Sequence, residues 1–294
     1  MKIGIYGQFY HEHSENYIQF ILDALQNYDA EVYIEANFLE IIKSQEGMSS
    51  DFSKVPTFTS LDRSYDFFFS IGGDGTILKS VTFVRDLGIP IVGINSGRLG
   101  FLATIQKEKI MESIQKILQG NFSVSERSML SIETDPGNAQ LQPLNFALNE
   151  IAVNRKNTTS MIKVETLVNG EYLTSYWSDG LIVATPTGST GYSLSCGGPV
   201  IDPSTNSLVI TPIAPHNLNA RPLVIPDNCV ITLKVSGREE NYLVSLDSRI
   251  ATLDNETTIT IKKSPFTIKL VQLLDDSFVK TLRKKLLWGE DKRN

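Results

Sequence analysis

Apolar positions in the first part of the chain alternate between two rhythms. Lys2–Tyr6 is a short apolar run closed by Gly7, the pattern of a buried strand. Tyr17, Ile18, Ile21, Leu22 and Leu25 then recur on one helical face. Ala30–Ile34 and Asp66–Ile71 read as further strands, the second apolar on both faces as in the interior of a parallel sheet. Gly72 follows, then a helical stretch through Leu87, another strand at Ile89–Ile94 and a helix over Lys107–Leu118. Ser49–Ser60, polar and weakly patterned, reads as a loop.

Beyond Phe122 the rhythm changes to short strands separated by turn residues. Val164–Val168 and Glu171–Trp177 flank Asn169-Gly170, the dipeptide that suits a tight hairpin turn. Cys229–Val235, Tyr242–Leu246, Thr257–Lys262 and Thr267–Leu273 follow without a helical pattern between them. Phe278, Leu282 and Leu286 then fall four apart and mark a terminal helix that packs back on the body. These patterns predict an α/β domain with a parallel, Rossmann-like sheet over residues 1–121. A mainly antiparallel β domain should follow over 122–275, and a helix and tail over 276–294.

Composition narrows the class. With 294 residues, 41% hydrophobic and 20% charged, the chain resembles an ordinary globular protein with room for two cores. A net charge of −6 argues against a nucleic-acid binder, because gripping phosphates calls for a basic face. No apolar run is long enough to cross a bilayer, and MKIGIYGQFY lacks a cleavage site, so a cytoplasmic protein without a membrane partner is expected. Cys196 and Cys229 have no metal-like spacing and read as free thiols. His11-Glu12-His13 reads as a solvent-facing loop rather than a metal clip, His216 as a structural residue, and Lys280–Lys285 as the wet face of the last helix.

Two stretches carry candidate chemistry. Gly72-Gly73-Asp74-Gly75-Thr76 follows a buried strand and opens a helix, so its backbone can approach a ligand closely and its N–H groups can meet phosphate oxygens. The alternative there is a tight turn in which Asp74 merely caps the helix. A second glycine turn, Gly93–Phe101, follows the next strand at the same sheet edge. The other stretch, Asp179–Pro199, is a strand followed by a run rich in hydroxyls and glycine over Thr185–Ser195, a neutral cradle for phosphate and ribose oxygens.

In ordered series the chain carries GGDGT at Gly72–Thr76, GINSGRLGFL at Gly93–Leu102, Asn149-Glu150, DGLIVATPTGSTGYSLSCGGP at Asp179–Pro199, APHNLNARPLVI at Ala214–Ile225 and Leu246-Asp247. This series, spread over nearly the whole length, resembles the NAD kinases. GGDGT alone is shared with lipid kinases and the phosphofructokinase superfamily, whereas the long threonine–glycine–serine loop is far more specific. The resemblance implies transfer of a phosphoryl group from ATP to the 2'-hydroxyl of the adenosine ribose of NAD. It implies Asp74 as general base, with Gly72, Gly73, Gly75 and Thr76 around the nucleotides. Asn149 and Glu150 would hold the adenosine and ribose part of the substrate. Asp179 and Thr190, Gly191, Tyr192, Ser193, Leu194 and Ser195 would contact adenine, ribose or the nicotinamide end, and Ala214 would line the same pocket. A divalent cation, Mg²⁺, would ride mainly on the ATP phosphates, with no protein metal ligand assigned, and a homodimer or homotetramer is expected.

The sequence departs from the family in two places. The common STAY reads Ser189-Thr190-Gly191-Tyr192 here, and Asp-Gly-Gln reads Asp247-Ser248-Arg249. The second puts the usual glutamine contact in doubt, and Arg249 is the candidate to take it over on a phosphate or ribose. A lipid or diacylglycerol-type kinase and a non-catalytic dinucleotide sensor remain rival readings. An assay with ATP, magnesium and either NAD or diacylglycerol separates them.

Overall fold

The strand–helix alternation of the first part becomes a mostly parallel sheet. The computed structural model describes residues 1–8, 15–26, 28–44, 52, 54–157 and 159–288; His11-Glu12-His13 lies outside them. Residues 1–126 and 268–294 form one compact unit and 127–267 a second. The first contains β1 (Lys2–Gly7), α1 (Glu15–Gln26), β2 (Glu31–Glu35), α2 (Ala36–Lys43), β3 (Thr57–Phe58) and β4 (Phe67–Gly72). It continues with α3 (Asp74–Val84), β5 (Ile91–Asn95), β6 (Ile105–Gln106), α4 (Ile110–Leu118) and β7 (Phe122–Arg127). Strand β1 pairs in parallel with β2 and β4, and β4 with β5. Every residue of β5 is buried, because the sheet is covered on both faces. Helix α4 turns Ile110, Ser113, Ile114 and Ile117 inward, the spacing of one helical face.

Helix α2 and strand β3 are among the elements the sequence pattern did not announce. Helix α2 buries Phe38, Leu39 and Ile42 directly after β2, and no turn residue announces it. Its N-cap is Glu35, whose buried carboxylate accepts the Phe38 N–H at 2.8 Å. Within the expected Ser49–Ser60 loop, Thr57 and Phe58 pair in parallel with Ile34 and Glu35.

The second unit is built of β8 (Leu130–Asp135), β9 (Phe146–Ala147), β10 (Glu150–Asn154), β11 (Ile162–Val168), β12 (Glu171–Ser178) and β13 (Gly180–Ala184). After a short helix α5 (Tyr192–Ser195) come β14 (Ser207–Ile213), β15 (Leu223–Pro226), β16 (Ile231–Ser236), β17 (Asn241–Leu246), β18 (Arg249–Asp254) and β19 (Thr258–Lys263). They form two six-stranded sheets, ordered β15-β14-β13-β10-β17-β18 and β12-β11-β16-β19-β8-β9. The pairing is antiparallel, as the alternating sequence pattern requires. Both sheets feed one core: Ile151, Val153, Val183 and Val244 come from one, and Ile132, Val164, Leu233 and Ile261 from the other. Asn169 and Gly170 both adopt positive φ, at 53° and 82°, which gives the tight hairpin turn predicted between β11 and β12.

The far face of β10 and β13 is apolar too. Ala152, Ile182, Ala184 and Val209 pack there against Ile201 and Cys196, so the hydroxyl-rich segment after β13 lies over that sheet as a folded lining. The last strand, β20 (Ile268–Leu273), corrects the expected division at residue 275. It lies between β5 and β7 in the first sheet and runs parallel to β5, with Leu270 opposite Ile91. Adjacent Leu270 and Val271 are both buried, the signature of a strand covered on two faces. Helix α6 (Phe278–Leu286) returns to the first unit through buried Leu282, and its Phe278 ring is 6.4 Å from that of Phe101.

Candidate active site

The GGDGT turn sits at the carboxyl end of β4, where open parallel sheets carry ligands. Gly72 ends the strand, and any Cβ there would come within 2.1 Å of the Thr76 hydroxyl. Thr76 itself is fully buried. Gly73 is the N-cap of α3 and Asp74 the first helical residue. The Asp74 carboxylate does not cap its own helix. It reaches across to the second glycine turn, where Oδ2 accepts the Phe101 N–H at 2.7 Å and Oδ1 accepts those of Leu102 and Ala103 at 2.9 and 3.0 Å. Gly100 permits this approach, since a Cβ there would lie 1.9 Å from Asp74 Oδ1. One lone pair of Oδ2 remains for another donor. Among the described residues, no atom lies within 4 Å of where a Cβ would stand at Gly73 or Gly75.

The second unit repeats this device. Asp247, held at φ 53° in the turn between β17 and β18, accepts the N–H groups of Leu148, Asn149 and Glu150 at 2.9, 2.8 and 3.2 Å. From the other side, Thr185 N–H donates to the Asn149 carbonyl at 2.9 Å, and the Thr185 hydroxyl donates to the Leu148 carbonyl at 2.6 Å. Gly188 lies so close that a Cβ would meet the Asn149 carbonyl oxygen at 2.1 Å. The Asn149-Glu150 backbone is thereby fixed between two loops. Their side chains are not: Asn149 Oδ1 and Glu150 Oε2 are buried acceptors without a hydrogen-bond partner among the described residues. Burial, with the neighbouring Asp247 charge, pushes the Glu150 carboxyl up from the usual 4.5 to about 8. Two orphaned acceptors side by side are poorly suited to a core and well suited to a ligand with paired hydroxyl donors.

The hydroxyl-rich loop divides its groups between structure and surface. Ser189 Oγ donates to the Pro186 carbonyl at 2.7 Å and accepts the Ile201 N–H at 2.9 Å, and Ser193 Oγ shares a 2.8 Å bond with Thr211 Oγ1. Thr185, Ser189 and Ser193 are thus buried and hold the loop to its own turns and to neighbouring segments, which the composition could not reveal. Thr190 and Leu194 are half-buried, and Tyr192 and Ser195 are exposed. Gly191 faces the orphaned carboxylate, the place for a Cβ lying 3.4 Å from Glu150 Oε2. The Tyr192 hydroxyl reaches Asn154 Oδ1 at 3.4 Å, and burial raises its pKa.

Asp179 pairs with Arg155 at 3.0 Å, a partner the sequence did not suggest. Ala214 is exposed at φ 44°, two positions before His216, whose backbone N–H bonds the Trp177 carbonyl at 2.8 Å. The Arg249 guanidinium is committed to the carbonyls of Leu144 and Phe146 and lies 4.0 Å from the Asp247 carboxylate. The sequence left Asp247 out of the candidate site, although it organises the acceptor pair; its carboxylate after a strand end was the available signal.

Residues 3–122 match the ATP-NAD kinase N-terminal domain and residues 148–273 the ATP-NAD kinase C-terminal domain. The NAD kinase of Christiangramia forsetii is 62% identical over 294 residues, covering 100% of both chains. The chain belongs to the NAD kinase family. The NAD kinase of Flavobacterium psychrophilum is 55% identical over 294 residues, again with 100% of both chains covered. Among solved structures, an Archaeoglobus fulgidus NAD kinase in complex with ATP aligns with a TM-score of 0.76 at 27% identity, over 98% of this chain and 99% of that one. Yeast NADH kinase complexed with NADH shares the fold, with a TM-score of 0.83 at 22% identity, over 99% of this chain and 88% of that one. As a member of the NAD kinases this chain is an ATP-dependent phosphotransferase acting on NAD, and the lipid-kinase and sensor readings fall away. Among the described residues no helix is long and apolar enough to cross a membrane.

Proposed function

We propose that Asn149 and Glu150 receive the ribose hydroxyls of NAD and that Asp74 serves the hydroxyl that is phosphorylated. The orphaned pair Asn149 Oδ1 and Glu150 Oε2 carries this reading. A buried acceptor left unpaired costs about 1–3 kcal/mol, and a ligand that supplies the donor recovers it on binding. Asp74 has one lone pair of Oδ2 left after its three backbone bonds, so it can accept the proton of the attacking 2'-hydroxyl without losing its orientation. The open backbone at Gly73 and Gly75 and the start of α3 suit close approach of phosphate oxygens. Thr190, Tyr192 and Ser195, with Asp179 and Ala214, are partly or fully exposed groups of the second unit that would meet the adenine or nicotinamide parts.

Magnesium enters this reading as part of the nucleotide substrate. Among the described residues no three His, Cys, Asp or Glu side chains converge to form a metal cage, so phosphate oxygens and water would supply the cation's ligands. Its charge would offset that developing on the transferred group. Assembly into a homo-oligomer is supported by the exposed Tyr172, Leu173 and Trp177 on edge strand β12.

The test of the acceptor pair is Glu150→Gln. It retains shape but replaces one acceptor oxygen with an amide donor, and KM for NAD should rise roughly ten- to hundredfold. An unchanged KM removes Glu150 from the site.

A further inference from the structure

The geometry points to Arg249 as a positioning residue for NAD binding, one that holds Asn149 and Glu150 in place through Asp247 and two backbone carbonyls without itself touching the substrate. The inference rests on the reading of Asn149 and Glu150 as the acceptors of the ribose. Segment Leu144–Glu150 needs such help. Strand β9 pairs only Phe146 and Ala147 with β8, and β10 begins at Glu150, so Leu148 and Asn149 lie between strands. Their N–H groups are satisfied by Asp247 instead. Arg249 holds the same segment from its carbonyl side, with Nη1 donating to Leu144 at 2.5 Å and Nη2 donating to Phe146. Its guanidinium also lies over the Phe146 ring, 5.2 Å from the centroid.

The two side chains are coupled to each other. Arg249 Nη2 lies 4.0 Å from Asp247 Oδ2, and the Asp247 side chain is only 3% exposed. Burial drives the Asp247 carboxyl upward, while its three backbone bonds and the arginine charge act to keep it ionised. Losing the guanidinium would leave two carbonyls short of a donor and remove the cation beside a buried carboxylate. Either change loosens the backbone on which both orphaned acceptors are mounted. The planar fork explains why this position holds arginine: a single ammonium cannot serve two carbonyls and a carboxylate in the same arrangement. With two donors on carbonyls and one face over Phe146, the group is occupied as a structural brace.

Arg249→Gln and Arg249→Lys, each with and without Glu150→Gln, test the assignment. NAD and the phosphate-free probe adenosine are titrated by calorimetry, and amide exchange is followed at residues 148–150. Arg249→Gln should speed exchange at those amides and weaken NAD and adenosine by a similar factor, roughly tenfold, with lysine restoring only part. On the Glu150→Gln background the further loss should shrink to about twofold or less, because both changes act on the same contact. KM for ATP should move by less than about twofold, which together with the melting temperature distinguishes a local effect from poor folding. A loss confined to NAD and absent for adenosine would mean a direct phosphate contact and overturn the proposal. Full additivity with Glu150→Gln, or faster exchange without weaker NAD binding, would overturn it too. If Glu150→Gln alone leaves NAD affinity unchanged, the underlying reading fails as well, a result distinguishable because exchange at residues 148–150 still reports whether the brace exists.

Discussion

Asp74 opens α3 and Glu150 opens β10, and their surroundings give the two carboxylates opposite demands. Asp74 faces three N–H donors. Asp74→Asn would therefore do more than remove a proton acceptor, since its NH₂ must face at least one of those donors. The expected outcome is a fall in kcat of about 10²–10⁴ with a stability loss of about 1–3 kcal/mol. Turnover within about fivefold of the parent, measured with the melting temperature on the same sample, would remove Asp74 from the chemistry. Glu150 has no such donors, and its carboxyl is raised to about 8. The folded chain therefore binds this proton more tightly than the unfolded chain. The associated stability is fully present below the ordinary value of 4.5 and is lost as pH rises toward about 8. At pH 7 the ligand-free chain carries Glu150 mostly protonated, whereas ribose donors call for the carboxylate. NAD binding at pH 7 should release close to one proton, and affinity should climb with pH up to about 8. Calorimetry in two buffers of different ionisation heat measures the release; zero release and a flat affinity profile from about pH 6 to 9 would refute it.

At the scale of elements, the loop after β13 acts as a lining for the Asn149-Glu150 segment. Its buried hydroxyls fix its shape and tie it to the Leu148 carbonyl and to Thr211, and its glycines set how closely it lies. Gly188 is the tightest point, with the Asn149 carbonyl oxygen 2.1 Å from where a methyl would stand. Gly188→Ala must push loop and segment apart, at a cost of about 1–3 kcal/mol. NAD affinity should fall at least tenfold, by the same mechanism that would displace Glu150. Gly191→Ala is the control, because its methyl would stand 3.3 Å from the Gly188 carbonyl oxygen and 3.4 Å from Glu150 Oε2. It should cost less than about 1 kcal/mol, measured by chemical denaturation. Equal losses for the two variants would contradict the distances.

For the whole molecule, the order of strands matters more than their number. Strand β20 is made last yet lies inside the first sheet, between β5 and β7, and buries Ile268, Leu270, Val271 and Leu273. The first unit is incomplete until residues 268–273 have been added. A chain ended at Thr267 should lose the cooperative unfolding of that unit, leaving a deficit that reaches well beyond the missing residues, since an unfilled slot in a parallel sheet exposes both neighbours' edges. Circular dichroism and limited proteolysis would show residues 1–126 digested quickly. A protected fragment over 1–126 in the shortened chain would show that β20 is dispensable.

Features that depend on neighbours along the chain were legible in the residues alone. Helical and strand periodicities, the Asn169-Gly170 turn and the glycine turns after β4 and β5 were legible because local geometry dictates them. The ordered motifs were legible through their resemblance to those of the NAD kinases. Helix α2 was hidden because its cap is a glutamate and no turn residue precedes it. Tertiary structure alone decided which sheet claims β20, since a strand's pattern records how much of it is buried but not by what. It also decided what each polar group does. Thr185, Ser189 and Ser193 carry hydroxyls like that of Ser195, but burial has spent them on the carbonyls of Leu148 and Pro186 and on the Thr211 hydroxyl. Glu150 and Asp247 are both acids at strand ends, yet one is saturated with N–H donors and the other has an oxygen with none. That difference arises from donors contributed by residues 97 to 99 positions away along the chain, a separation no local pattern can register.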